Sequence, residues 1–303
     1  MSAGRRQSAV HSTPLRDAIV VDWSAANIPN TGADSCWVAV GALDGQGPIR
    51  TENPRTRLET ISSIERHLAR SKEQGRRVLV ALDVSFGLPS GTARVLGLSG
   101  RPGWRALWSR LEELGTDDER NTNNRFEVAD LLNRQAGVRC FWGRPVAPSF
   151  DKFSSLSIKD APVAGLEANP LPRLRRCEQL AGPGVLSNWM LVGKGAVGGQ
   201  MLTCLPHLER LRQVHAASVW PFDGLGDPGG QVVLAETWHG LFHWRGERDS
   251  LRDQAQVRAT LRALRHAGEG GRAALLDPSS IQAMSGAARS KIIGEEGWTL
   301  GVN

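Results

Sequence analysis

Three carboxylates in this sequence each stand directly after a short apolar run: Asp22, Asp83 and Glu236. Continuous apolar runs of this kind indicate strands that are buried on both faces, and ligands of open α/β sheets bind beyond the carboxyl ends of such strands. If the three strands are neighbours, the acids converge. Because like charges repel, one acid must then be protonated or a cation must lie between them. Oxygen ligands select Mg²⁺ or Mn²⁺, so the spacing predicts a divalent-metal site.

A fourth acid, Asp253, lies near the start of a predicted helix at 249–266, which can bring it to the same site. The alternative interpretation is structural. Asp is common where turns begin, which would account for Asp22 and Asp83, and it suits a helix N-terminus, which would account for Asp253. The pattern alone leaves both interpretations open.

Several other residues are candidates for contacts with a phosphate group. They are Lys194, Gly195, Arg125, Arg173 and Arg176. The first two belong to a G-x-G-x-x-G match at 193–198, between a predicted strand and a predicted helix whose N-terminus could hold phosphate. A dinucleotide site is disfavoured, because no acid closes a second strand about 20 residues further on. A tight turn, ordinary helix capping and a solvated helix face are the alternative interpretations of these segments.

A zinc site is the second metal-binding pattern in the chain. Glu236, His239 and His243 have an E-x-x-H-x-x-x-H spacing, which can bind zinc when it lies on a helix. Glu236, however, belongs to a predicted strand, and no further histidine or cysteine lies near, so we disfavour zinc. Neither G-x-S-x-G nor G-x-x-x-x-G-K-[ST] occurs in the chain.

The segments that must position these acids alternate between strand and helix periodicity. The first part of the chain predicts an antiparallel meander, then an amphipathic helix and a fourth strand, at 18–23, 34–43, 48–53, 57–74 and 78–91. Further helices are predicted at 104–114, 123–135, 199–214 and 249–266, and extended runs at 187–193, 217–222 and 231–236. Asn124 and Glu127 form a variant of the capping box. Residues 143–172 have no clear period and are interpreted as loops.

Composition and charge restrict the class of protein. The 303 residues are 40% hydrophobic and 22% charged, an ordinary globular balance. No run approaches the roughly 18 apolar residues that a membrane helix needs, and residues 1–16 predict a disordered basic tail. Four dispersed cysteines fit a reducing cytoplasm. A net charge of +6 is compatible with nucleic acid or a phosphorylated small molecule as a partner, without requiring either.

A series of short phrases runs in order over nearly the whole chain. It includes VDWSA at 21–25, ALDVSFGLPSG at 81–91, NNRFEVADLLN at 123–133, GAVGGQ at 195–200, AETWHGLF at 235–242 and EEGWTLG at 295–301. In these phrases the chain resembles an uncharacterised bacterial family of predicted ribonuclease H-like nucleases. The resemblance implies a ribonuclease H-like mixed sheet flanked by helices, formed by a single domain at 17–303 with a helical and loop insertion at about 100–185.

The resemblance also implies an activity, that of a metal-dependent phosphodiesterase or nuclease. Asp22, Asp83 and Asp253 would hold Mg²⁺ or Mn²⁺, and Glu236 would complete the catalytic set. An enzyme of cofactor or nucleotide metabolism that acts on a small phosphorylated substrate is one alternative, and a catalytically inactive binding module is another. His239 departs from the expected pattern, because the resemblance leads us to expect a proline there.

Overall fold

The computed structural model describes residues 13–45, 47–100, 102–182, 184–193, 196–245 and 251–303. Its strands are β1 Leu15–Asp22, β2 Trp37–Ala42, β3 Arg50–Glu52, β4 Arg77–Leu82, β5 Val138–Arg139, β6 Glu167–Ala168, β7 Ser218–Trp220, β8 Val232–Thr237 and β9 Thr299–Leu300. Within these residues, a seven-stranded mixed sheet has the order β3-β2-β1-β4-β8-β7, and β9 pairs with the end of β8. Strands β5 and β6 form a separate two-stranded sheet.

The direction of the strands brings the carboxyl ends of β1, β4 and β8 to one edge of the main sheet. Strands β1, β2 and β3 form an antiparallel meander, whereas β4, β8 and β7 run parallel to β1. In the register of the parallel part, Val21 is opposite Leu82, and Leu82 is opposite Glu236. The segments that follow β1, β4 and β8 therefore leave the sheet side by side.

Helices cover both faces of the sheet. They are α1 Arg57–Glu73, α2 Thr92–Val95, α3 Gly103–Leu114, α4 Arg125–Ala136, α5 Arg176–Ala181, α6 Gly198–His215, α7 Arg252–His266, α8 Gly268–Leu276, α9 Ser279–Gln282 and α10 Gly286–Lys291. Because side chains alternate along a strand, Ile19 and Val21 pack with α1, α3, α4 and α6, while Ala18 and Val20 pack with α7, α8 and α9. None of the described helices is long and apolar enough to cross a membrane.

The meander, the helix after it and the fourth strand match the sequence prediction, with three differences elsewhere. Residues 187–193 form no strand, and only a single bridge joins Met190 to Trp142. The predicted capping box at Asn124 is wrong, because its side chain makes no capping hydrogen bond to α4 and its oxygen instead accepts the N–H of Thr116 at 2.8 Å. Leu15 is buried in β1, so the predicted disordered tail ends too late; residues 1–12 lie outside the described part of the chain.

Candidate functional site

The carboxyl ends of β1, β4 and β8 open into one cavity of about 980 Å³. Asp22 is the last residue of β1, Asp83 follows the last residue of β4, and Glu236 lies near the end of β8. All three side chains line the cavity. The structure thus brings the three acids to one edge of the sheet, where they have two different environments.

Asp22 and Asp83 form the first environment. The backbone N–H of Asp83 donates to the carbonyl of Val21 at 3.0 Å, which holds the ends of the two strands together. One carboxylate oxygen of each acid and one ring nitrogen of His239 lie within 4.8 Å of one another. Among the described residues, no lysine or arginine forms an ion pair with either acid, so the two like charges face each other without a cation in contact.

The electrostatics of this pair favour the protonated acids in the absence of a cation. Burial raises the pKa of Asp22 well above its usual range, and the charges of Asp83 and Asp253 raise it further. Burial likewise raises the pKa of Asp83 to about 7, although the backbone N–H of His239 opposes that shift. A cation placed between the carboxylates would reverse both shifts, because it stabilises the charged forms.

His239 begins a short 3₁₀ helix, His239–Leu241, directly after β8, and its side chain is fully buried. Its Nδ1 lies 2.8 Å from the hydroxyl oxygen of Thr260 on α7. Burial lowers the pKa of the ring to about 3, an effect that the Val21 carbonyl opposes only in part. The imidazole is therefore neutral near pH 7 and adds no positive charge to the pair of acids.

Asp253 and Arg252 lie at the rim of the same cavity, in the first turn of α7. Asp253 is half-buried and accepts the backbone N–H of Asp34 at 2.8 Å, and burial raises its pKa. The exposed guanidinium of Arg252 lies 5.6 Å from the ring centre of Trp244. Its charge lowers the pKa values of Asp22, Asp83 and Asp253, although burial still dominates at each acid.

Glu236 has the second environment. Its two oxygens accept hydrogen bonds from Arg175 at 2.6 and 2.8 Å, and both residues are buried. The backbone N–H of Phe86 and the hydroxyl of Thr299 donate to the same carboxylate, at 2.8 and 2.6 Å. Four donors thus satisfy this acid. Glu236 thus lines the same cavity as Asp22 and Asp83, and its charge contributes to the raised pKa of Asp83, but its own oxygens are occupied by donors of the fold.

The predicted phosphate contacts are dispersed. Lys194 and Gly195 lie outside the described residues. Arg125 is buried, stacks on Phe126 with its guanidinium carbon 4.5 Å from the ring centre, and does not line the cavity. Arg173 is exposed and lies 3.8 Å from an Asp160 oxygen, while Arg176 pairs with Glu296. Arg173 and Arg176 therefore have different acidic partners, Asp160 and Glu296.

The two competing motifs do not assemble the sites that they would require. No strand precedes the G-x-G-x-x-G segment, so the strand, loop and helix of a dinucleotide fingerprint are not present among the described residues. His243 is exposed while His239 is buried, and Glu236 is occupied by Arg175. The three zinc candidates therefore do not face one another.

Arg175, Arg252 and His239 lie at the site but were not among the metal-binding acids and phosphate contacts that the sequence predicted. Arg175 lies between the predicted phosphate contacts Arg173 and Arg176, but nothing in the sequence pattern distinguishes it from them as the buried partner of Glu236. Arg252 precedes Asp253, and its position at a helix N-terminus gave no signal. His239 did give one, because it stands three residues after Glu236 and departs from the proline that the resemblance leads us to expect.

Comparison of the chain with family models, curated proteins and solved structures gave no match.

Proposed function

We propose that this protein is a metal-dependent hydrolase of phosphate esters, a phosphodiesterase or nuclease of the ribonuclease H-like class. One observation carries the proposal. Asp22 and Asp83 face each other at the ends of two adjacent parallel strands, inside a cavity, and no lysine or arginine of the described residues is paired with either acid. Such a pair is electrostatically unfavourable unless it binds a proton or a cation, and strongly shifted carboxylates in a cleft are typical of functional sites.

The donors present fit Mg²⁺ or Mn²⁺. Asp22 and Asp83 would hold the ion, and Asp253 at the rim could complete the set through a water molecule or a shift of its side chain. A bound divalent ion supplies Lewis acidity and lowers the pKa of a coordinated water. The exposed guanidinium of Arg252, which lines the cavity, would orient the phosphate. The raised pKa values of the acids imply that ion binding displaces protons.

The order of the strands supports the class of fold in this proposal. An antiparallel meander is followed by helix α1 and then by β4, which pairs in parallel with β1. That order is the one that the resemblance implies for the part of the chain holding Asp22 and Asp83. At one place the order of the strands in the sheet differs from their order in the chain. Strand β7 precedes β8 in the sequence, but in the sheet β8 lies between β4 and β7.

The first test is cleavage of single-stranded, duplex, hybrid and branched nucleic acids with Mg²⁺ or Mn²⁺. We expect Asp22→Asn and Asp83→Asn each to lower the rate by at least about a hundredfold, because each removes a charged oxygen from the ion site. Asp151→Asn is the matched control, since this exposed acid does not line the cavity. Equal activity in all four proteins would contradict the proposal.

The lining of the cavity favours a small phosphorylated substrate as the second candidate. Its charged residues, within the described part of the chain, are Asp22, Asp34, Asp83, Glu178, Glu236, Asp253, Arg175 and Arg252. A groove for a polynucleotide needs a row of basic side chains along the phosphates. Of the basic residues described at this cavity, Arg175 is paired with Glu236, which leaves Arg252. Release of phosphate from nucleotides or other small esters, together with no cleavage of nucleic acid, would select this candidate. Binding without turnover in both panels would indicate the inactive module.

A further inference from the structure

The side chain of His239 is held in one orientation. Its Nδ1 lies 2.8 Å from Oγ1 of Thr260, and both residues are fully buried between β8 and α7. The other ring nitrogen, Nε2, has no hydrogen-bond partner among the described residues and lies 3.9 Å from Oδ2 of Asp83. A fully buried polar atom without a partner is unfavourable by about 1–3 kcal/mol, so this position of Nε2 calls for an explanation.

An ion pair with Asp83 does not provide that explanation. The distance of 3.9 Å is long for a hydrogen bond. A neutral ring whose Nδ1–H donates to Thr260 presents a lone pair at Nε2, directed toward the two carboxylates. That is the form in which imidazole binds metal ions.

We propose that Nε2 of His239 is the third ligand of the ion held by Asp22 and Asp83, and that this nitrogen makes the site selective for a divalent transition metal such as Mn²⁺ over Mg²⁺. The three ligand atoms lie within 4.8 Å of one another. Ligands bound at about 2.0–2.2 Å to one ion are separated by at most about 4.4 Å, so a small closing movement suffices. Imidazole nitrogen suits transition metals, whereas Mg²⁺ prefers oxygen and water.

The inference rests on the metal site of the proposed function, but its test needs no substrate. The full chain is loaded with Mn²⁺, and its electron spin echo envelope modulation is recorded. We expect ¹⁴N modulation from a directly bound imidazole, changing to the ¹⁵N pattern when the protein is grown with ¹⁵N-histidine. This isotope exchange requires no substitution and therefore no assumption about the folding of a variant.

Variants sharpen the test. His239→Leu should lose the nitrogen modulation and lower the preference for Mn²⁺ over Mg²⁺ by about 10–100-fold in competition titrations. Thr260→Val should weaken Mn²⁺ binding, because the ring is no longer oriented, while His243→Ala should change neither property, since His243 is exposed.

Two results would overturn the inference, and they can be distinguished. Mn²⁺ that binds without nitrogen modulation would show that His239 only positions the carboxylates, with Nε2–H donating to the nearby Val21 carbonyl. In that case the proposed function would survive. Absence of Mn²⁺ binding at millimolar concentration would overturn both the inference and the metal-dependent function.

Discussion

Two carboxylate environments lie side by side at the edge of the same sheet, and they differ in how their charge is balanced. Glu236 accepts four hydrogen bonds and is paired with a buried arginine, Arg175. Asp22 and Asp83 face each other, and among the described residues neither is paired with a lysine or an arginine. Glu236 is therefore satisfied by the fold itself. The aspartate pair is satisfied only if a proton or an ion from outside the chain is added.

The difference shows which acid stabilises the fold and which acids are available for chemistry. A buried charge with a complete set of donors contributes to a single well-defined structure, although it adds little to stability over an apolar pair. A close pair of uncompensated carboxylates lowers the stability of the metal-free protein, and such local instability is typical of sites that bind ligands. The three acids look alike in the sequence, and only their partners separate them.

The largest expected effect on stability comes from replacing Arg175, the cation that is paired with Glu236. Arg175→Met leaves Glu236 and Glu178 buried without a partner, and we expect it to lower the free energy of unfolding by about 3–5 kcal/mol. Arg176→Met is the control, because its guanidinium is partly exposed, and we expect a loss of at most about 1 kcal/mol. Urea denaturation of the metal-free proteins measures both. Equal losses would show that Glu236 does not depend on Arg175.

At Asp22 and Asp83, by contrast, removing a charge should raise the stability of the metal-free protein. The pKa of Asp83 is about 7 in the folded protein and about 3.9 in an unfolded chain. Between these values the folded state holds a proton that the unfolded state has lost, so the stability of the metal-free protein falls as pH rises from about 4 to 7.

Asp83→Asn cannot titrate in that window. It should therefore be more stable than the wild-type chain by up to about 4 kcal/mol at pH 8, since the pKa difference is about three units at about 1.4 kcal/mol each, and equal to it at pH 4. Glu236→Gln, its counterpart in the other environment, should be less stable than wild type at pH 8, because Arg175 loses its charged partner. Urea denaturation at pH 4 and pH 8 measures the free energy of unfolding of both variants. An Asp83→Asn protein that is less stable than wild type at pH 8 would show that the charge of Asp83 does not destabilise the metal-free protein.

Much of the fold could be predicted because its signals are local. The apolar runs that end in Asp22 and Asp83 are strands, and the amphipathic segment between them is helix α1. The failures depend on contacts distant in sequence. Residues 187–193 are apolar because Trp189 packs against Phe141, 5.2 Å between ring centres, and not because they pair in a sheet. Asn124 joins the end of α3 to the start of α4, a contact that no capping pattern contains.

The acids of the candidate site could be predicted from the sequence, but the residues that contact them could not. Parallel strands place their carboxyl ends together, which made the convergence of the acids at one edge an inference from strand order. The pairing of Arg175 with Glu236 joins residues 61 positions apart, and it comes from a segment without periodicity. His239 depends on Thr260, which lies on a helix packed beneath it. Such partners follow from tertiary packing, so no spacing rule can reveal them.

The smallest expected effect concerns Arg252 at the rim of the aspartate pair. Its charge lowers the pKa values of Asp22 and Asp83 from a solvent-exposed position. We therefore expect Arg252→Gln to raise the pKa of Asp83 by less than about one unit, equivalent to about 1.4 kcal/mol, and 0.5 M salt to remove most of the difference. Carbon-detected NMR titration of the aspartate carboxyl groups measures the shift.

Arg245→Gln provides a closely matched control for that titration. Both arginines lie over the ring of Trp244, at 5.3 Å for Arg245 and 5.6 Å for Arg252, but only Arg252 lines the cavity. Since Coulomb interactions weaken with distance and exposure, Arg245→Gln should leave the pKa of Asp83 unchanged. Equal shifts in the two variants would mean that the aspartate pair senses the overall charge of the protein. The pKa of Asp83 would then depend on distant charges more than is expected for an acid that, among the described residues, is paired with no lysine or arginine.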